Sequence, residues 1–380
     1  MIVKNIFKIS KGKKAVESID KTLQRYIQIG DLRSDDKIKY AESDDKNVIC
    51  DENDVLIAWD GANAGTIGYG LKGIIGSTLA RLSPKVDNIY SPYAGRFLQS
   101  QFRYLRETCT GATIPHISRP TLESLKIPLP PLDQQKKIAA ILDAADAYRQ
   151  KTKALITKYE ELTQSLFLDM FGDPVRNPMG WDKFTLDKCY INKKEGTKCG
   201  PFGSALKKHE YVDCGIPVWT MYNIRHGGFD KNKCLFITVD KYNALKSYET
   251  KLGDIIISRA GTVGKMCVIT HNEKAIISTN LIRLRLDSNK LLPMYFALLM
   301  NKWGAKVARL KTGAEGTFTH MNTGILNSIN LPIPPISIQN QFANRVQALE
   351  TQKVQAQASL AQAEDLFNSL LQKAFKGELV

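Results

Sequence analysis

Residues 127–173 of this chain read IPLPPLDQQKKIAAILDAADAYRQKTKALITKYEELTQSLFLDMFGD, and residues 331–377 read LPIPPISIQNQFANRVQALETQKVQAQASLAQAEDLFNSLLQKAFKG. The two stretches align without a gap, so that Phe171 matches Phe375, 204 positions further on. One unit repeated over such a long period predicts a duplicated architecture with one copy in each half of the chain.

Each copy begins with a proline-rich extended segment and continues as one long helix. Proline is excluded from helix interiors, so the helices are expected to follow the prolines. Apolar residues then recur at heptad spacing over about five heptads, which is typical of a coiled coil. Each helix should extend roughly 55–60 Å, at about 1.5 Å per residue. We predict that the helices pack on each other rather than separately on their own domains, through a seam of Ile141, Leu155, Leu162, Leu360, Phe367 and Leu370.

Length and composition favour a globular protein of two or three domains. The chain has 380 residues, of which 43% are hydrophobic and 24% charged. An apolar run of about 18 residues, enough to span a bilayer, is absent from the sequence, and the N-terminal residues lack the pattern of a signal peptide. A cytoplasmic location without membrane contact is therefore expected.

The net charge of +15 lies in the globular halves. Residues 174–335 carry 24 Lys/Arg against 12 Asp/Glu, and residues 1–131 carry 19 against 15. The two helical copies are close to neutral, with 6 against 7 in residues 132–173 and 4 against 4 in residues 336–380. A basic globular surface favours a polyanion as partner, although the charge could also serve solubility alone. Neutral helices favour protein–protein or intramolecular contacts.

Motifs of catalysis and of metal binding are missing from the sequence. The sequence contains no P-loop, dinucleotide fingerprint or HExxH. Its seven cysteines are widely spaced, without a CxxC pair, and are expected to be reduced. The segment Gly200–Ser204 is a Gly/Pro loop and not a nucleophile elbow. We therefore expect neither catalysis nor a cofactor in this chain.

The two halves share one plan around the helices. In the first, a buried strand pattern at 54–58 is followed by a turn at 65–68 and a second strand region at 73–82. In the second, the same features recur at 254–258, 261–264 and 276–284. Most residues differ between the halves, which favours two domains that bind different versions of one kind of ligand.

In this order of motifs, the chain resembles the DNA-specificity subunit of a type I restriction–modification enzyme. The resemblance rests on the segments IPLPPLDQQ and LPIPPISIQ, the helices ending at Phe171 and Phe375, the GPFGS…LKKHEY stretch, and the paired DVLIA…GTIG and DIIIS…GTVG segments. It covers essentially the whole chain.

The resemblance implies an α+β fold of two similar mixed α/β target-recognition domains, separated by a pair of long antiparallel coiled-coil helices in a pseudo-twofold duplication. The expected division is residues 1–131 for the first domain, 132–172 for the central spacer helix, 173–335 for the second domain and 336–380 for the C-terminal spacer helix. If the helices are antiparallel, the end of the second lies beside the first domain, as Phe171 lies beside the second domain.

The implied function is non-catalytic. Each domain would read one half of a split site in double-stranded DNA, and the helices would fix the spacer and dock two copies of the methyltransferase subunit. S-adenosylmethionine, ATP and Mg²⁺ are expected on partner subunits, including a restriction/translocase subunit. The alternatives are a self-sufficient DNA methyltransferase or nuclease with unrecognised motifs, and a structural adaptor for another acidic partner.

Basic and amide side chains near the divergent turns are the candidate DNA contacts, because Arg pairs with guanine and Asn with adenine in the major groove while Lys more often holds phosphate. In the second domain they are Lys207, Lys208, His209, Asn223, Arg225, Arg259, Lys265 and His320, and in the first they are Arg25, Trp59, Asn63, Arg81, His116 and Arg119.

Overall fold

The computed structural model describes residues 1–111, 113–202, 205–225, 228–230, 232, 234–260, 263–303, 321 and 323–379. The chain divides into two compact units. Unit 1 comprises Met1–Leu155 and Ala356–Val380, and unit 2 comprises Ile156–Gln355. Each unit therefore contains part of both long helices, whereas the predicted division gave each helix a segment of its own.

Unit 1 is a mixed α/β unit with two sheets. Its strands are β1 Phe7–Lys11, β2 Glu17–Ser18, β3 Gln24–Ile27, β4 Tyr40–Ala41, β5 Ile49–Cys50, β6 Val55–Ala58, β7 Ile67–Tyr69, β8 Gly73–Ile75 and β9 Leu79–Pro84. Its helices are α1 Val3–Ile6, α2 Ser91–Ser100, α3 Phe102–Glu107 and α4 Arg119–Ser124, followed by the first long helix, α5 Leu132–Phe171. One sheet has the order β1-β9-β6-β7 and is antiparallel, and the other has the order β2-β4-β3-β8-β5 with β3 and β8 parallel.

Unit 2 repeats this plan. Its strands are β10 Lys183–Thr185, β11 Thr197–Cys199, β12 Tyr211–Val212, β13 Ile216–Trp219, β14 Ile224–Arg225, β15 Gly228–Phe229, β16 Leu235–Ile237, β17 Ile255–Ser258, β18 Met266–Val268, β19 Ile276–Ile277, β20 Leu281–Leu284 and β21 Asn330–Pro332. Its helices are α6 Val239–Ala244, α7 Pro293–Lys302 and α8 Thr323–Asn327, followed by the second long helix, α9 Ile336–Lys376. The sheet order β11-β20-β17-β18 matches β1-β9-β6-β7 strand for strand. The order β12-β16-β13-β19 matches β2-β4-β3-β8, including the parallel pair β13 and β19, and β5 has no counterpart in this sheet among the described residues.

The predicted α+β class with a repeated plan is confirmed. The buried strand patterns at 54–58 and 254–258 form β6 and β17, in which all four residues are buried. Each of these strands pairs on both edges and is covered on both faces, which explains the uninterrupted apolar runs.

A close backbone approach fixes the first turn of each unit. Gly12 follows β1 and Gly200 follows β11. A Cβ atom at Gly12 would lie 2.3 Å from the Gly76 carbonyl oxygen, and one at Gly200 would lie 1.9 Å from that of Ser278. Only glycine fits at such positions, so the loops after β1 and β11 lie against the loops before β9 and β20.

The core of each unit includes both long helices. In unit 1, Ile138 and Leu142 of the first long helix share the core with Phe367 and Ala374 of the second. In unit 2 the shared core contains Phe167 and Phe171 with Phe342 and Val346. The end of each long helix thus packs on the unit predicted for it.

The two long helices run antiparallel within each unit. In unit 2, the Glu160 carboxylate lies 3.2 Å from Lys353 Nζ, and Met170 Sδ accepts a hydrogen bond from Arg345 at 3.9 Å. In unit 1, the Tyr148 hydroxyl lies 2.8 Å from Ser359 Oγ.

The predicted seam is wrong for the first long helix. Ile141, Leu155 and Leu162 are 38%, 42% and 50% exposed. The residues that face the seam lie one position later in the heptad, and include Leu142 and Arg149. The Arg149 side chain covers Phe367, with its guanidinium carbon 4.3 Å from the ring centre. The apolar stripe of Ile141, Leu155 and Leu162 predicts the wrong seam, because the buried heptad position is partly filled by polar residues whose aliphatic stems pack there.

On the second long helix, Phe367 is buried and Leu370 packs against the core of unit 1. Leu360 is half-buried. No disulfide joins any of the seven cysteines, all of which lie among the described residues. Among the described helices, none is long and apolar enough to cross a membrane.

Candidate nucleic-acid interface

Trp59 and Arg259 occupy the same place in the two units. Trp59 follows β6, its N–H donates to the Thr78 carbonyl at 2.7 Å, and its carbonyl accepts from Ile117 N–H at 2.9 Å. Arg259 follows β17, its N–H donates to the Asn280 carbonyl at 2.9 Å, and its carbonyl accepts from Met321 N–H at 2.9 Å. One backbone position, held by equivalent bonds, thus presents an indole in unit 1 and a guanidinium in unit 2.

The carboxylate of Asp60, the residue after Trp59, contacts the side chains of Lys11 and His116. Asp60 Oδ2 lies 2.7 Å from Lys11 Nζ, and Asp60 Oδ1 lies 2.6 Å from His116 Nδ1. Burial acts to raise the pKa of Asp60, but the bonds from Lys11 and His116 together outweigh it and lower the pKa below its ordinary value. Asp60 is therefore ionised at neutral pH and orients both neighbours at the surface.

Two other predicted contacts of unit 1 lie exposed. The Asn63 amide oxygen accepts a hydrogen bond from Arg33 at 3.0 Å. Arg119 Nε donates to Glu123 at 2.8 Å, one turn along α4. Both side chains remain accessible and their role in DNA contact stays a prediction.

Arg25 and Arg81 are instead bonded within unit 1. The Arg25 guanidinium donates to Asp31 at 2.7 Å and to Asp35 at 2.5 Å. Arg81 donates to the Ile49 carbonyl. Arg283 is the equivalent of Arg81 in unit 2 and donates to the Glu249 carbonyl at 2.6 Å. Arginine at this strand position therefore joins the two sheets of each unit.

In unit 2, Arg259 is stacked on an aromatic ring. Its guanidinium carbon lies 5.0 Å from the ring centre of Phe202, which is itself exposed. Lys265, near the start of β18, is half-buried, and its N–H donates to Ser258 Oγ at 3.0 Å.

The basic stretch after the Gly/Pro loop is solvent-facing. Lys207, Lys208 and His209 are all exposed. Their turn is held by Glu210, whose carboxylate accepts from Lys207 N–H at 2.6 Å and from Lys241 Nζ at 2.6 Å. This leaves the three side chains outside the turn and accessible to solvent, and their role in DNA contact stays a prediction.

Asn223 faces inward. Its side chain is fully buried, accepts from Thr220 N–H at 2.9 Å and donates to the Asp230 carbonyl at 2.9 Å. These bonds shape the turn before β14 and leave the amide away from the surface that a base contact needs. Arg225 has its backbone in β14, while its side chain and all of His320 lie outside the described residues.

Sequence reasoning missed Lys11, Asp60 and Phe202. Asp60 follows the predicted strand at 54–58 and Phe202 lies in the predicted Gly/Pro loop, but their partners lie far away in the chain. Lys11 ends β1, a strand that the sequence patterns do not predict. Aligning the two halves at Trp59 and Arg259 would have marked Asp60 as a neighbour of the divergent position. Among the described residues, no group of three or more His, Cys, Asp or Glu side chains is placed to hold a metal ion.

Residues 2–163 and 198–362 match the type I restriction modification DNA specificity domain. The chain belongs to this family. It is a specificity subunit, the non-catalytic member of a multi-subunit restriction–modification enzyme, as the sequence predicted.

Relatives and solved structures agree with this assignment. The MjaVIII specificity subunit of Methanocaldococcus jannaschii is 27% identical over 364 residues, covering 91% of this chain and 84% of the relative. The EcoKI specificity subunit of Escherichia coli K12 is 24% identical over 313 residues, covering 77% and 66%. The crystal structure of an S subunit from M. genitalium shares the fold, with a TM-score of 0.62, 18% identity, and coverage of 99% of this chain and 95% of that one.

Proposed function

We propose that the two units read the two halves of a bipartite site in double-stranded DNA. The observation that carries the proposal is the equivalence of Trp59 and Arg259, since the same backbone bonds hold different side chains at one position. Duplicated scaffolds with different reading side chains suit a site whose halves differ in sequence.

Unit 2 has the chemistry for a guanine contact. Arg259 is half-buried and stacked on Phe202, which limits the orientations of its guanidinium. A guanidinium donates two parallel hydrogen bonds to the O6 and N7 atoms of guanine, at about 1–3 kcal/mol per good pair. Lys207 and Lys208, which are exposed, would hold phosphates without regard to sequence.

Unit 1 offers a different set of groups. Trp59 is followed by Asp60, which orients Lys11 and His116. The indole supplies apolar contact of the kind that reads a thymine methyl, and Lys11 supplies a phosphate contact. A different base preference in this half-site is therefore expected.

The long helices would set the spacer and dock two methyltransferase subunits. On the first long helix, Ile141 and Leu155 are 38% and 42% exposed and lie two heptads apart along unit 1. Tyr148 lies between them, is 53% exposed, and contacts Ser359 of the second long helix through its hydroxyl. Such a stripe is suited to a protein partner. S-adenosylmethionine would be bound by those partners, and ATP and Mg²⁺ by partners that include a restriction/translocase subunit.

Methylation mapping tests the proposal. A host would express the complete system with the wild-type chain, Arg259→Ala, Trp59→Ala or the control Lys188→Ala. Arg259→Ala should relax one half of the methylated motif and Trp59→Ala the other, with the control unchanged. Relaxation of the same half by both variants would contradict reading by separate units.

A further inference from the structure

Unit 2 contains a cavity of about 310 Å³ with a mostly cationic lining. The cations are Lys194, Lys198, Lys246, Lys251, Arg283 and Arg285. They come from β11 and the loop before it, the turn after α6, the loop before β17, and strand β20 with the residues after it.

The two carboxylates in the lining are already engaged. Glu195 pairs with Arg285, and Glu249 accepts a hydrogen bond from the Tyr242 hydroxyl. Arg285 is compensated a second time, because its guanidinium donates to both oxygens of Asp254 at 2.8 Å. Among the described residues, the four lysines form no ion pair with a carboxylate, so the cavity has an excess of positive charge.

Arg283 is the least compensated of the buried cations. It is 4% exposed, and its guanidinium donates to the carbonyls of Glu249 at 2.6 Å, Ser247 at 3.4 Å and Glu195 at 3.4 Å. Its buried Nε has no partner among the described residues. Burial, and then the charge of Arg285, lower the pKa of Arg283. An anion in the cavity would offset both effects.

Unit 1 shows that the scaffold does not require this charge. Arg81 pairs with Ser10 across the sheet, whereas the equivalent Arg283 pairs with Lys198. Asp54 accepts a hydrogen bond from the Ser83 hydroxyl at 2.6 Å and its other oxygen lies 3.9 Å from Arg81 Nε, whereas Asp254 is paired with Arg285. The same fold thus forms with hydroxyls at positions where unit 2 has cations.

We propose that this cavity binds a phosphate group, either a backbone phosphate of DNA or a free phosphate. Phosphate oxygens accept strong hydrogen bonds from guanidinium and ammonium groups. The inference does not depend on which bases either unit reads.

The first test measures binding of inorganic phosphate to the full chain by calorimetry at constant ionic strength set with chloride. Lys246→Ala/Lys251→Ala removes two exposed cations of the cavity and leaves the buried arginines in place. Lys183→Ala/Lys188→Ala removes the same charge from exposed positions of unit 2 outside the lining. We expect one phosphate per chain for the wild type and the control, and at least about tenfold weaker binding for the cavity variant.

Equal phosphate binding by all three proteins, or none by the wild type, would overturn the proposal. A second arm identifies the source of the phosphate with duplex DNA of matched and random sequence. If the ligand is a backbone phosphate, the cavity variant should bind both duplexes more weakly than the control, by the same factor for each. The slope of log affinity against log salt concentration should also fall by about 1–2 relative to the control. With phosphate binding established, equal DNA affinity of the two variants would assign the cavity to free phosphate. Failure of the proposed base recognition would be seen separately, because the wild type would then bind the matched and the random duplex equally well.

Discussion

Gln135 and Gln339 make the same three hydrogen bonds in the two units. The Gln135 amide oxygen accepts from Tyr90 N–H at 2.9 Å, and its nitrogen donates to the carbonyls of Asn88 at 2.9 Å and Pro130 at 2.8 Å. Gln339 accepts from Leu292 N–H at 2.9 Å and donates to the carbonyls of Lys290 at 3.1 Å and Pro334 at 2.8 Å. Both side chains are fully buried. Each glutamine therefore ties the first turn of a long helix to the start of α2 or α7.

This relationship predicts a large effect of Gln339→Leu. The substitution removes three hydrogen bonds to backbone groups, each with a net contribution of about 0.5–1.5 kcal/mol, so we expect unit 2 to lose about 2–4 kcal/mol of unfolding free energy. Urea denaturation would measure the loss. Gln352→Leu, at an exposed position of the same helix, should change the midpoint of urea denaturation little. Equal effects of the two variants would show that the hydrogen bonds of Gln339 are not the cause of the loss.

The ion pairs of Arg96 predict a second position, in unit 1, where a single substitution should destabilise the fold. This residue of α2 is 5% exposed, and it donates at 2.8 Å to Asp143 and at 2.9 Å to Asp146 of the first long helix. Burial acts to raise the pKa of Asp146, but Arg96 and Arg149 lower it below its ordinary value. Because the folded pKa is depressed, this stabilisation is present above the unfolded pKa of about 3.9 and is lost as the pH falls through the folded value.

We therefore expect Arg96→Met to destabilise unit 1 by about 2 kcal/mol at pH 7, less than the roughly 3–5 kcal/mol of a fully buried pair, since Asp143 is 44% exposed. Denaturation at pH 7 and at pH 3 would show the difference between variant and wild type shrinking in acid. A difference that stays constant with pH would mean that lost packing, not the ion pairs, is responsible.

The corrected seam predicts that truncating two nearby isoleucines of the first long helix will cost very different amounts of unfolding free energy. Ile138 is 4% exposed in the core of unit 1, and Ile141 is 38% exposed. Ile138→Ala should cost about 2–4 kcal/mol, as for other buried truncations, and Ile141→Ala about 0.5 kcal/mol or less. Chemical denaturation would measure both losses of unfolding free energy. A larger loss at Ile141 than at Ile138 would indicate that Ile141 does lie in the seam.

The exposed stripe predicts a separable loss of assembly. Ile141→Glu/Leu155→Glu should leave the fold of the chain intact and abolish binding of methyltransferase subunits, which native mass spectrometry would count. Ala140→Glu/Ala147→Glu adds the same charge at exposed positions of the same helix. A wild-type complex that holds a single methyltransferase subunit at partner excess would count against docking of two copies.

Helix length predicts the length of the unread spacer. Seven residues inserted into each long helix keep the heptad phase and add roughly 10 Å at about 1.5 Å per residue, or about three base pairs. The insertion also rotates one half-site by roughly 100°, given about 10–10.5 base pairs per turn. We expect one to three added spacer base pairs with unchanged half-sites, read by methylation mapping. A methylated site with altered half-sites and the original spacer would contradict the hypothesis that helix length sets the spacer length.

The duplication, both long helices and the family follow from the amino-acid sequence alone. Helical periodicity and proline boundaries are local, so α5 and α9 follow from them directly. The order of motifs, repeated around Phe171 and Phe375, is a property of the chain and needs no coordinates.

Which side chains are available for contacts depends on how the chain packs in three dimensions. The heptad alone did not reveal that the seam contains Leu142 and Arg149 rather than Ile141, because that choice depends on what the other helix presents. Asn223 is taken up by its own turn, while Arg259 is stacked at the surface. The cationic cavity joins segments that are far apart in the chain, and its charge becomes visible only when packing has brought together cations that no local pattern connects.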